Sequence, residues 1–150
     1  MLCDGSVGFA IAVLLIAGFE GAGFSFKHFL VWLKQKFVIG MSDYLYGWVE
    51  NGSHFFVKDR TQDSIFEVDR STVSDLHPTT KPVALLARMV SNSSRRGELV
   101  YDPFCGSGST ILAAHQLDRI GFGCEIDPAY VAVALERLSR LGLQPELVDK

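Results

Sequence analysis

The regular part of the chain lies beyond Pro82, where apolar residues alternate between helical and strand-like spacing. Val83, Leu86, Ala87 and Val90 recur at i, i+3, i+4 and i+7, which predicts an amphipathic helix to about Ser93 with Pro82 in its first turn. Arg95-Arg96-Gly97 ends it. "ELVYD" (98–102) then predicts a short buried strand, the Ala-rich stretch to about Leu117 a second helix, and "IGFGCEI" (120–126) a second strand. A third helix is predicted from Asp127, an N-cap with Pro128 at the first helical position, to Leu141, where Gly142 stops it. Strands alternating with helices predict an α/β fold, a doubly wound and mostly parallel sheet that binds ligands at the carboxyl ends of its strands.

The first half follows a different pattern. "HFLVWLK" (28–34), "HFFV" (54–57) and "SIFEV" are aromatic, β-type runs, divided by the turn signals Asn51-Gly52 and Asp59-Arg60. Before them, Val7 to Phe19 is almost unbroken apolar sequence. It reads as a buried strand or helix, or as a signal or anchor; it is short for a span of about 20 residues, and Asp4 is the only charge ahead of it. A polar connector from Ser71 to Pro82 separates the two halves.

Composition narrows the picture. A chain of 150 residues with 48% hydrophobic content is one domain by length and can build a core. The net charge of −3 gives no overall basic excess of the kind that announces a nucleic-acid binder. Phosphate contacts therefore fall to local spots: Lys34 and Lys36, Lys58 and Arg60, and Arg95-Arg96. Cys3, Cys105 and Cys124 have neither disulfide nor metal spacing, and His28, His54 and His115 lack partners at ligand spacing. A reducing, cytoplasmic compartment without a metal site is expected.

Candidate chemistry concentrates in "DPFCGSGST" (102–110), between the first of these strands and the helix after it. Gly106 and Gly108 permit a tight turn and close approach of a ligand, and the following helix offers N–H groups to an anion. The P-loop pattern fails, because Gly108 is followed by Ser109-Thr110-Ile111 rather than by Lys and Ser or Thr. The dinucleotide pattern fails at Ile111, which stands where the third glycine belongs. A ligand of both charges fits better, with a carboxylate for the helix start and an ammonium or sulfonium for Asp102. The methionine part of S-adenosyl-L-methionine carries those groups. Glu125, 23 residues after Asp102, stands where a carboxylate accepts ribose hydroxyls. Asp127 reads as a helix cap only.

"HPTTKP" (77–82), then "DPFCGSGST", then "CEIDPAY" (124–130) together resemble the bacterial and phage DNA methyltransferases that methylate exocyclic amines of adenine or cytosine. The resemblance is good from His77 to Leu141 and looser over "FLVWLKQKFVIGMSDY" and "HFFVKDRTQDSIFEVDR". It implies that His77, Pro78, Thr79 and Lys81 fold over the methionine end of the cofactor. Asp102, Phe104, Gly106, Ser107 and Gly108 would form the loop beneath it, and Glu125 the ribose clamp. Phe104 reads also as core, and Lys81 as a solvated surface charge. Cys105 reads as a small filler inside the loop and Cys124 as buried strand packing, since no Pro-Cys pair marks a nucleophile.

With these motifs toward the C-terminus, the family carries its catalytic D-P-P-Y or a related tetrapeptide near the N-terminus. This sequence contains none, and Asp127-Pro128-Ala129-Tyr130 belongs with the ribose strand. The expectation is a truncated member with no catalytic residue of its own: 1–76 the remnant of the catalytic and target-recognition half, 77–150 the cofactor-binding half of the same domain. The direct junction of Ser42-Asp43-Tyr44 to Leu45-Tyr46-Gly47-Trp48 reads as a deletion. Its partners would be DNA and a separate chain bearing the catalytic motif, with no membrane. Two other readings stay open: a cofactor-binding module that works only with a partner chain, and a secreted or membrane-attached protein headed by Val7 to Phe19.

Overall fold

The computed structural model describes residues 16–33, 41–49, 61–68 and 80–148, with Gly52, Phe55, Val57 and Asp59. They fall into two compact units, one within Met1–His54 and Thr61–Glu67, the other within Phe55–Arg60 and Val68–Lys150.

In the first unit, helical residues 16–21 lead into β1 (Phe24–Leu33), followed by β2 (Met41–Val49) and β3 (Ile65–Glu67). The sheet order is β2-β1-β3, with β2 antiparallel and β3 parallel to β1. The antiparallel pairing of β1 with β2 is the exception beside two parallel pairs, in keeping with the mostly parallel pairing expected. It follows from the short connection after Leu33, since a parallel return needs a crossover of roughly a dozen residues or more. Trp32 and Phe66 stand opposite each other in the β1–β3 register and are both buried, 4% and 1% exposed, so this pair anchors β3 to β1. "HFLVWLK" lies largely in β1, which begins earlier, at Phe24, and "SIFEV" contains β3. Of "HFFV", Phe55 and Val57 have no regular structure, and His54 and Phe56 lie outside the described residues. β2 was not anticipated, and it runs unbroken through the junction read as a deletion. Its signal is the period-2 spacing of Tyr44, Tyr46 and Trp48, with His28 of β1 against Tyr46 at 5.1 Å between ring centroids. Val7 to Leu15 lies outside the described residues; among those described, no helix is long and apolar enough to cross a membrane.

The second unit keeps the order expected: α1 (Val83–Ser93), β4 (Leu99–Asp102), α2 (Ser109–Gln116), β5 (Ile120–Gly123) and α3 (Pro128–Arg140). β4 and β5 are parallel, in register from Leu99 with Ile120 to Asp102 with Gly123, so α2 is the crossover of a β-α-β unit. Val100, Gly121, Asp102 and Gly123 share the face toward α2. A side chain at Gly121 would come within 3.1 Å of Ile111, and one at Gly123 within 2.9 Å of Cys105. The two strand glycines thus let the helix and its loop settle onto the sheet. On the opposite face Leu99, Tyr101 and Ile120 are exposed at 59%, 57% and 54%, so β4, expected to be a buried strand, is exposed at Leu99 and Tyr101.

Leu85 and Val90 of α1, Leu112, Ala113 and Ala114 of α2, and Ala134 and Leu138 of α3 form the core of this unit. Asp127 caps α3 as expected, its carboxylate accepting the Ala129 N–H at 2.9 Å. The far end closes through Gly142 at φ +80°, with the Leu143 N–H on the Leu138 carbonyl at 3.1 Å and the Gly142 N–H on Ser139 at 2.9 Å.

Candidate functional site

The loop from Asp102 to Ser109 continues the β4–β5 ladder before it turns. The Cys124 N–H donates to the Asp102 carbonyl and the Cys105 N–H to the Cys124 carbonyl, both at 2.9 Å. The chain then reverses at Gly106 (φ +51°), bonds Gly108 N–H to the Cys105 carbonyl at 2.9 Å, and enters α2 from Gly108 (φ +76°). Only a glycine takes these left-handed conformations without strain. Gly108 also rests on α3: a Cβ there would stand 3.3 Å from that of Ala134. α2 starts without a side-chain cap, so no capping side chain takes its first N–H donors.

Two carboxylates frame this turn. Asp102, at the end of β4, accepts the Phe104 N–H at 3.0 Å and the Thr110 hydroxyl at 2.6 Å. Glu125 lies just past the end of β5 and accepts the Gly106 N–H at 2.9 Å through one oxygen and the Asp127 N–H at 3.0 Å through the other. The two oxygens of a carboxylate offer about four acceptor positions. Burial, and after it the charges of Asp102 and Glu125, push the Cys105 thiol above its ordinary range. Cys105 is therefore a thiol rather than a thiolate at neutral pH, consistent with a filler and not a nucleophile.

A cleft opens over the loop, lined by Thr80, Lys81, Leu86, Asp102, Phe104, Cys105, Gly106, Ser107, Ser109 and Thr110. Five of the residues singled out in the sequence thus meet at one place: Lys81, Asp102, Phe104, Gly106 and Ser107. Gly108 and Glu125 are not in the lining: Gly108 rests on α3, and Glu125 accepts the Gly106 N–H. His77, Pro78 and Thr79 lie outside the described residues. Phe104 is 85% exposed at the cleft, which removes its reading as core. Cys124 is exposed and beyond the strand, with its sulfur 3.4 Å from the Tyr101 hydroxyl, so the expectation of buried strand packing is corrected. β5 ends at Gly123, before Cys124 reaches the sheet interior.

Sequence reasoning missed Thr80, Leu86, Ser109 and Thr110 in the lining, and Arg137, which meets the loop from α3. Thr110 adjoins the glycine turn, where a hydroxyl reaches back to the strand-end carboxylate. Arg137, in the last turn of α3, donates to the Ser109 hydroxyl at 2.8 Å and the Ser107 carbonyl at 3.1 Å, a contact across 30 residues that no local pattern announces. The basic spot Arg95-Arg96 is matched by acids: Arg95 pairs with Glu98 at 3.4 Å and Arg96 with Asp118 at 3.3 Å, both on the surface. Among the described residues no cluster of His, Cys, Asp or Glu is arranged to hold a metal.

Parallel strands, a crossover helix entered through a glycine turn, and an acid after the second strand define a Rossmann-like nucleotide- or nucleoside-binding unit. The family model described as DNA methylase matches residues 3–136, and the chain belongs to that family. The type II methyltransferase M.HpaI of Haemophilus parainfluenzae is 47% identical over 62 residues, 41% of this chain and 20% of the relative. M2.DpnII of Streptococcus pneumoniae, also a type II methyltransferase, is 40% identical over 62 residues, 41% of this chain and 23% of the relative. The matched segment thus spans about a fifth of the length of these curated relatives. Among solved structures, M1.HpyAVI in complex with SAM is similar with a TM-score of 0.77 at 25% identity, covering 87% of this chain and 70% of that one. The PvuII DNA methyltransferase, cytosine-N4-specific, shares the fold with a TM-score of 0.69 at 17% identity, covering 93% of this chain and 58% of that one.

Proposed function

We propose that this chain supplies the cofactor-binding part of a site-specific DNA methyltransferase, which moves a methyl group from S-adenosyl-L-methionine to an exocyclic amine of adenine or cytosine. The observation that carries the reading is the pairing of opposite charges around one turn. The uncapped start of α2 offers N–H donors to a carboxylate, while Asp102 and Glu125 place negative charge at the carboxyl ends of β4 and β5. A zwitterionic amino-acid tail joined to a nucleoside meets both. The bound cofactor supplies an electrophilic methyl on its sulfonium.

In this reading Asp102 attracts the ammonium and sulfonium, and the N–H groups of α2 receive the carboxylate. Glu125 accepts the ribose hydroxyls. Ile126 beside it is 96% exposed and offers an apolar surface to the adenine. Lys81 and Phe104 border the open side, and the sequence resemblance assigns His77 and Thr79 to the methionine end. Residues 77–150 form the cofactor half and residues 1–76 belong to the catalytic and target-recognition half. DNA is the substrate, and a separate chain bearing D-P-P-Y is the partner that completes the acceptor site. The free thiols Cys105 and Cys124 suit the cytoplasm.

Calorimetric titration of the chain tests the reading: S-adenosyl-L-methionine is expected to bind, and NAD is not. Tight binding of NAD in place of S-adenosyl-L-methionine would overturn it.

A further inference from the structure

We propose that Arg137 of α3 is the positioning residue of the cofactor loop: it draws the loop's acceptors toward α3 and thereby leaves the N–H groups at the start of α2 for the ligand's carboxylate. The inference rests on the cofactor reading above. One terminal nitrogen of Arg137 meets the Ser109 hydroxyl at 2.8 Å, the Ser107 carbonyl at 3.1 Å and the Ser107 hydroxyl at 3.4 Å. Ser107 and Ser109 are buried polar residues, 7% and 6% exposed, so their oxygens need partners from the protein. Without Arg137 the Ser107 carbonyl would be free to rotate toward the cleft, where it would repel an anion.

The rest of α3 supports the same task. Ala134 and Leu138 flank Arg137 on one face of the helix, and both lie under Gly108, at 3.3 and 3.7 Å from the position its Cβ would take. Small Ala134 admits the loop, and Arg137 then ties it down. On the opposite side Glu125 holds the Gly106 N–H at 2.9 Å. The loop is thus gripped by an acid on a donor and by a base on acceptors, which fixes its conformation before a ligand arrives and lowers the ordering cost of binding. Partial burial lowers the Arg137 pKa from its ordinary value, a desolvation offset by the three acceptors it meets.

The proposal separates from a merely structural role by ligand choice. S-adenosylhomocysteine carries the amino-acid carboxylate; methylthioadenosine lacks it and keeps the ribose and adenine. With the full 150-residue chain in a calorimeter, Arg137→Met is expected to weaken S-adenosylhomocysteine about tenfold or more and methylthioadenosine by less than about twofold. Arg137→Lys should recover part of the loss, because an ammonium reaches an acceptor but lacks the planar fork. Arg140→Ala, which removes only the exposed pair with Glu136, should leave both affinities unchanged. If Arg137→Met does not fold, Ser109→Ala removes the acceptor of the shortest bond and carries the same comparison, with the loss again confined to S-adenosylhomocysteine. Equal loss for both ligands, or none for S-adenosylhomocysteine, overturns the proposal. A wild-type chain that binds neither ligand overturns the cofactor reading on which it rests.

Discussion

Glu125 uses both oxygens on backbone, one on Gly106 and one on Asp127, before any ligand is considered. Its substitution therefore tests two roles at once. A hydrogen bond to a charged group contributes about 1.5–3 kcal/mol, so Glu125→Ala is expected to weaken S-adenosyl-L-methionine by about tenfold to a hundredfold in a titration. Glu125→Gln keeps an acceptor for the Gly106 N–H and should fall between the two; affinity equal to wild type for Glu125→Ala would remove the ribose role. Cys105 reports on the same environment through its raised thiol pKa. At neutral pH its alkylation by iodoacetamide, followed peptide by peptide, should be slower than that of the exposed Cys124 and should accelerate only as pH climbs past the ordinary thiol value of about 8.5. The linkage has the matching sign: a folded-state pKa above the unfolded one stabilises the fold below that range and loses the contribution as pH rises through it. Fast alkylation of Cys105 at neutral pH would show that it is neither buried in the loop nor close to the two carboxylates.

At the scale of elements, the position of α2 and its loop on the sheet depends on what β5 lacks. A methyl at Gly123 would lie 2.9 Å from both Cβ and Sγ of Cys105, too close to be accommodated without moving the loop. Gly123→Ala is expected to cost about 1–3 kcal/mol, which lowers the melting temperature by roughly 2–4 °C per kcal/mol for a chain of this size. Cys105→Gly added to it should recover part of that loss. A circular-dichroism melt of Gly123→Ala identical to wild type would place the loop off the strand. These glycines also explain what was legible. The three helices, β4 and β5 follow from periodicity, a capping aspartate and a terminal glycine, all local signals. The charge-bearing turn was legible because Gly106, Gly108 and Asp102 sit within seven residues of one another. Arg137 was not, since its loop contacts depend on how α3 folds back over a chain of 30 residues. β2 escaped because Gly47 and the polar Ser42-Asp43 interrupt its apolar content, while its aromatic alternation is the feature that pairs it with β1. The exposed Leu99, Tyr101 and Ile120 mark the limit of hydrophobic runs as evidence: the run fixes a strand, but which face is covered depends on the layers present.

For the molecule as a whole, binding a methyl donor and using it are separate requirements. The cofactor loop positions a sulfonium, but an amine in duplex DNA must be unpaired, extruded from the stack and held in line with the methyl group. The sequence resemblance assigns this to a D-P-P-Y-type tetrapeptide, with polar and carbonyl acceptors for the amine and an aromatic ring against the flipped base; the 150 residues contain none. The local basic pairs do not replace it, because Arg95 and Arg96 are already matched by Glu98 and Asp118 and phosphate contacts position DNA without reaching a base. We therefore expect the purified chain to transfer no methyl group to mixed genomic DNA in a radiolabelled assay, even where it binds the cofactor. Adding an N-terminal fragment with D-P-P-Y from a related methyltransferase separates the remaining readings: turnover that appears only with the fragment supports a cofactor half completed by a partner chain. Turnover by the chain alone would show that an acceptor site is built from residues other than that tetrapeptide, and the division into cofactor and catalytic halves would fall with it.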